Sequence, residues 1–133
     1  MTTGDTRAIL DLLTTWQRAV MGGDLEALRP LLAEDVVFLR PGAPPIRGRD
    51  EFMALQEGMR GKQRITLQFE CEELVVHGDW AHCRNRLTVT VTPLTGATPE
   101  RRAGHTLSIF RKQADGRWVL KRDANLLAAE PPR

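Results

Sequence analysis

Residues 64–92 read "RITLQFECEELVVHGDWAHCRNRLTVTVT", and the way the two halves of this stretch pair decides the fold. Each half alternates apolar and polar residues at period two, the mark of a half-buried strand. His77-Gly78-Asp79 lies between them. Taken as a three-residue hairpin loop, it sets Val76 opposite Trp80. Ile65 then meets Val91, Leu67 meets Val89 and Phe69 meets Leu87. On the other face Glu72 meets Arg84 and Glu70 meets Arg86. One face is apolar and the other pairs opposite charges, and a slip of one residue would destroy both patterns. Asn85, opposite Cys71, is the polar exception on the apolar face. Cys83 faces Glu73 and is only diagonal to Cys71, so no disulfide is expected.

Two further strands follow, "HTLSIFRK" and "RWVLKRDANLL", joined through Ala114-Asp115-Gly116. Asp-Gly is a strong hairpin signal. A two-residue Asp115-Gly116 loop pairs Lys112 with Val119, Phe110 with Lys121, Ser108 with Asp123 and Thr106 with Asn125. A three-residue loop pairs Asp123 with Leu107 and Asn125 with His105 instead. The first register is preferred because it groups polar side chains. It also gathers Leu107, Ile109, Leu120 and Leu126 on the outer face, an apolar area larger than a monomer usually exposes. A homodimer through that face is therefore expected.

Upstream of the strands the period is helical. Ile9, Leu13, Trp16 and Val20 form a stripe over Asp5–Met21, widened by Leu12 and Ala19. Gly22-Gly23 ends it. Asp24 is placed to cap a second, short helix carrying Leu25, Leu28, Leu31 and Leu32, which Pro30 should kink or stop. Val36–Leu39 reads as a short strand running into a proline-glycine loop, and Gly48–Met59 as a third helix. The closing "AAEPPR" reads as a frayed tail.

The chain has 133 residues and a net charge of +2. One domain over residues 1–133 fits that length, and the charge gives no footprint for nucleic acid or a membrane surface. Three Trp, four Phe and no Tyr supply no obvious base-stacking platform. No apolar run is long enough to span a membrane. "MTTGDTR" carries no apolar signal region, so a cytoplasmic location is expected. The three histidines and two cysteines lack metal-ligand spacing, and the nucleotide and serine-hydrolase motifs are missing, so neither metal nor cofactor is expected.

Helices followed by antiparallel strands make an α+β pattern. Three N-terminal helices should cover one face of a strongly curved antiparallel sheet, leaving a cone-shaped cavity. The stretch "TWQRAVMGGDLEALRPLLAEDVVFLRPGAPPIRGRDEF" (residues 15–52) resembles the opening of a nuclear transport factor 2-like domain, the cystatin-like cone that also serves ketosteroid isomerases, SnoaL-like cyclases and scytalone dehydratase. "DGRWVLKRDANLL" resembles the close of the same fold, and the SgcJ/EcaC-like branch is the nearest match. The resemblance implies a small-molecule pocket, enzymatic or purely binding, for an apolar or polyketide-like substrate. It equally allows a non-catalytic dimerisation or partner-association module, because this fold hosts many unrelated functions.

Ketosteroid isomerases place their catalytic carboxylate just before the proline that follows the first strand, and by the resemblance that position is Arg40. Their oxyanion-donating tyrosine falls at Trp16. A guanidinium that stays charged cannot abstract a proton, and an indole cannot act as the tyrosine's acid, so the isomerase mechanism is not carried over. Asp123 is the candidate base, since a desolvated carboxylate is raised in pKa; the alternative is an ion pair with Lys121, Arg122 or another cation. Asn125, matching an asparagine of the SgcJ/EcaC-like branch, is either a ligand anchor or a strand cap. Trp16, Phe38, Phe52, Phe69 and Leu87 are expected to wall the cavity, with Asn85, Asp123 and Asn125 at its polar end. Arg40, Arg47 and Arg49 form either an anion-binding rim or a solvated loop. His105, at a strand start, is within reach of the cone mouth, although a lone histidine is more often structural, and that reading is preferred. An open cavity with converging polar groups would favour the pocket protein, and one filled by Trp16, Phe38, Phe52 and Met53 the association module.

Overall fold

A computed structural model describes residues 3–130. Three helices, α1 (Thr3–Gly22), α2 (Leu25–Leu28) and α3 (Arg49–Met59), pack against a mixed sheet. Its strands are β1 (Leu32–Arg40), β2 (Ala43–Arg47), β3 (Gln63–His77), β4 (Trp80–Pro93), β5 (Glu100–Lys112) and β6 (Trp118–Asn125), with a short β7 (Ala128–Ala129). The spatial order is β2-β1-β6-β5-β4-β3, and β7 pairs with β5. No helix among the described residues is long and apolar enough to cross a membrane.

The helical readings hold in outline, except that Leu32, expected on the second helix, opens β1, which starts four residues before the expected Val36. Ile9, Leu12 and Ala19 of α1 are buried, with Leu13, Trp16 and Val20 packed beside them. The amide of Ala27 donates to Asp24 Oδ1 at 3.2 Å, and α2 gives way to a 3₁₀ turn at Arg29–Leu31 where Pro30 lacks its N–H. Asp5 Oδ1 accepts from Trp118 Nε1 at 3.0 Å and from Lys112 Nζ at 3.1 Å, tying the first turn of α1 to the β5–β6 hairpin. These two donors, Trp118 foremost, hold the Asp5 carboxyl below its usual range.

The sheet departs from expectation in four ways. β1 runs parallel to β6; no tight turn joins these strands, so nothing local fixes their direction. The stretch read as a proline loop contains β2, an edge strand, where proline is tolerated; Pro44 and Pro45 fall at an irregularity in its pairing with β1 and not among its paired residues. β5 begins at Glu100, in a charged segment with no apolar alternation. The tail is not simply frayed up to residue 130: Ala128 pairs with Ala103 and Ala129 with Arg102, and the remainder of that reading lies outside the described residues.

Both hairpins differ from expectation at the turn and agree with it at the cavity. In β3–β4 the loop is Gly78-Asp79, with His77 opposite Trp80. Gly78 has φ +62° at the position that a type II′ turn gives to glycine. Glu72 then bulges, so Cys71 faces Asn85, Phe69 faces Leu87 and Leu67 faces Val89 as expected. Arg84 now lies opposite Glu73, yet its guanidinium still reaches Glu72 at 2.7 Å. In β5–β6 Gln113 N donates to Arg117 O at 2.8 Å, closing the three-residue loop. Phe110 therefore faces Leu120 and Lys112 faces Trp118. A bulge at Lys121 restores Ser108 to Asp123 and Thr106 to Asn125. It also turns Leu120 inward, where it is buried, so Leu120 leaves the expected outer patch.

After β6 the chain crosses β5 at Gly104. A Cβ built there would lie 2.9 Å from Leu126 O and 3.3 Å from Leu127 Cα, and Gly104 has φ +153°. We predict that Gly104→Ala lowers stability by about 1–3 kcal/mol in urea unfolding. Gly22→Ala, in a helix and with nothing within 4 Å of the added carbon, should be neutral or stabilising. Equal effects at the two positions would refute the crossing as the cause.

Candidate functional site

Parity along the strands and the apolar stripes of the helices together enclose one side of the sheet. A cavity of about 490 Å³ lies there, within the size range of small-molecule sites. Its apolar wall includes Trp16 from α1, Phe38 from β1, Phe52 from α3, Phe69 from β3 and Leu87 from β4. Phe38 and Phe52 stack with ring centroids 4.5 Å apart, and Trp16 tilts against both at 6.2 and 5.6 Å. These rings line the space without filling it, and Met53 is not in the wall. A second hollow of about 370 Å³ adjoins it, sharing Val20, Gln56, Met59 and Ile65.

Asn85, Thr106, Ser108, Asp123 and Asn125 converge on the cavity from β4, β5 and β6. Ser108 Oγ donates to Asp123 Oδ1 at 2.7 Å. Burial pushes the Asp123 carboxyl up to about 6, against the downward pull of that hydrogen bond. The expected competing cations are engaged elsewhere. Lys121 Nζ meets both oxygens of Asp35 at 2.6 and 2.7 Å. The Arg122 guanidinium donates to the carbonyls of Asp35 and Lys121. Asp123 is therefore a neutralisable carboxyl beside an apolar wall, not one half of an ion pair.

Asn125 does both things asked of it in part. Its Oδ1 accepts from the Leu127 amide at 2.8 Å, which caps the strand end, while the residue lines the cavity. Asn85 is buried, and its Oδ1 accepts from Cys83 Sγ at 3.1 Å. Arg40 lines the mouth although largely exposed, and its Nη2 donates to the Pro44 carbonyl at 2.9 Å. Arg47 and Arg49 stay outside the lining, so the structure does not assemble a three-arginine rim. His105 takes its structural alternative and is not part of the lining. It stands 3.0 Å from Glu72 in a cluster with Arg84 and Arg86, not at the mouth. No group of three metal-ligating side chains occurs among the described residues.

Ser108 and Thr106 were missed as site residues, although both are buried and share the cavity with Asp123. The signal was present in the register, which sets Ser108 against Asp123 and Thr106 against Asn125.

Comparison with known proteins agrees with this geometry. A family model described as the SnoaL-like domain matches residues 3–121. A conserved protein from Planctomyces limnophilus is 37% identical with a TM-score of 0.90, the match covering 96% of this chain and 98% of that one. A ketosteroid isomerase-like protein from Erwinia carotovora atroseptica is 27% identical with a TM-score of 0.73, over 96% and 94% of the two chains. A nuclear transport factor 2-like superfamily protein from Salmonella enterica shares the fold at 14% identity and a TM-score of 0.83, over 99% and 95%. None of the curated proteins matches.

The raised Asp123 carboxyl has a consequence for stability. A folded-state value near 6, above the ordinary 3.8, means that the fold favours the protonated form. Its contribution is fully present below about pH 4 and is lost as pH rises through 6. We predict that Asp123→Asn gains stability relative to the native chain between pH 4 and pH 8, by about 2–3 kcal/mol. Urea unfolding at the two pH values reads this directly. A difference that does not change with pH would show that Asp123 is not desolvated.

Proposed function

Because the chain belongs to the SnoaL-like domain family, we propose that it is an enzyme acting on a small, largely apolar or polyketide-like molecule, with Asp123 taking a proton from carbon. The observation that carries this reading is the Asp123 carboxyl, raised to about 6 and held by Ser108 beside an apolar cavity. A base with that value is mostly ionised at pH 7 yet far stronger than an ordinary carboxylate. Ser108 occupies one oxygen and leaves the other for the substrate proton. In this reading the amide N–H groups of Asn85 and Asn125, which line the cavity, meet the oxygen on which negative charge develops. Arg40 at the mouth suits an anionic group on the substrate.

The position of the base departs from that of the isomerases. The isomerase carboxylate site at the end of β1 is Arg40, but Asp123 lies one strand away, paired in register with Phe38. A carboxylate on the neighbouring strand can serve the same space from another wall. Asn125 is the position that the SgcJ/EcaC-like branch would share. Once the proton is removed, the substrate decides whether it returns at another carbon or a leaving group departs.

A binding screen of small aromatic and polyketide-like compounds by thermal shift identifies ligands, and turnover of the hits is then followed against pH. We predict that kcat rises through about pH 6 and falls at least about 100-fold in Asp123→Asn, while the affinity changes little. Turnover that survives this substitution would remove Asp123 from the chemistry.

The association reading draws support from Leu107, 43% exposed on the outer face, with the partly buried Ile109 beyond it. We propose a homodimer through this face, compatible with a catalytic cavity on the other. Light scattering should give twice the chain mass at tens of micromolar (roughly, for a standard interface) and the single mass for Leu107→Glu. A monomeric native chain would rule this interface out.

A further inference from the structure

The turn-side half of the β3–β4 hairpin holds a feature that the cavity chemistry does not use. Cys71 and Cys83 are both free, yet their Sγ atoms lie 3.2 Å apart. An uninterrupted ladder would leave them diagonal. With Glu72 bulged out of β3 between Cys71 and Glu73, the two sulfurs touch. Cys83 is fully buried, whereas Cys71 is half-buried on an edge strand.

We propose that Cys71 and Cys83 form a redox-active dithiol that low-molecular-weight disulfides oxidise to an intramolecular disulfide, and that this changes the polar end of the cavity through Asn85. The sulfurs need to close by only about 1.2 Å to reach bonding distance. Cys71, the accessible sulfur, attacks as thiolate one sulfur of the oxidant, expels one thiolate and carries a mixed disulfide. Cys83 then loses its proton, attacks Cys71 Sγ and expels the second thiolate. The oxidant ends as two thiols, and two S–H bonds of the protein become one S–S bond.

Cys83 is the second sulfur because its proton is the harder to lose. Burial pushes its thiol up, and its contact with Cys71 and the charge Cys71 would carry push the same way. A mixed disulfide on Cys71 removes the charge, and so releases part of the hold on the Cys83 proton.

The link to the cavity is one hydrogen bond. Cys83 Sγ donates to Asn85 Oδ1 at 3.1 Å, and Asn85 lines the cavity. A disulfide sulfur has no proton to donate. Oxidation thus leaves the buried Asn85 carbonyl without this donor, and the amide must find another arrangement.

The inference stands independently of the Asp123 reading. In its test the whole protein is incubated with oxidised glutathione, denatured, alkylated and digested with trypsin. Both cysteines fall in one tryptic peptide, Ile65–Arg84. That peptide should lose two hydrogens and take up no alkylating agent until dithiothreitol is added, after which it takes up two groups. A peptide with two free thiols, a stable glutathione adduct or a disulfide between chains overturns the proposal. Anilinonaphthalene sulfonate fluorescence then compares the cavity in the two states. Affinity should differ by about threefold or more between reduced and oxidised native protein, and not at all in Cys71→Ser. Equal signal in both states, or none in either, overturns the coupling and leaves the test of Asp123 untouched.

Discussion

A strand offers each side chain only two directions, and one wrong choice reverses every residue beyond it. This constraint governs the whole molecule, because one side of the sheet must meet three helices and a cavity. In the two hairpins it is enforced at the bulges of Glu72 and Lys121. Each hairpin takes the turn that its glycine favours, which by itself would put the cavity residues in the wrong register. Each then inserts one residue and returns to the alignment that places Phe69, Asn85, Ser108 and Asp123 inward. Turn geometry decides the ends of the hairpins, and burial decides their middles.

The electrostatics of the site arise from the same arrangement. Lys121 and Arg122 precede Asp123 in sequence, but they project to the side where Asp35 collects them. A carboxylate with cations as chain neighbours is thus left with a hydroxyl as its hydrogen-bond partner. Sequence proximity would have predicted a stabilised anion. Strand geometry produces a group whose proton is easily held and easily given up.

Much of this was legible in the sequence. Period-two alternation with paired charges located the long hairpin, and the apolar stripe located α1. The polar exceptions Asn85, Asp123 and Asn125 pointed to one end of a cavity. What was not legible has physical reasons. The direction of β1 against β6 is a contact between segments far apart in sequence, such as Phe38 and Asp123, with no turn to constrain it. Strand β2 is held at an edge in spite of its prolines, so local propensity argues against it. The bulges leave no local mark, since Glu72 and Lys121 look like any exposed strand residue. The polar partner of His105 depends on the outer face of three strands at once, so the sequence could favour a structural histidine without naming Glu72.

The crossing at Gly104 also bears on how the domain can be joined to other sequences. Leu127 is buried and its amide is fastened by Asn125, while Glu130 N donates to Arg101 O. The segment after β6 is therefore a strap laid over β5. A linker or tag attached directly after Asn125 would replace the strap, strip the cover from Gly104 and free the Asn125 carbonyl at the cavity. One attached beyond Glu130 would leave all three in place. The practical boundary of the domain is set by this strap and not by the end of its last long strand.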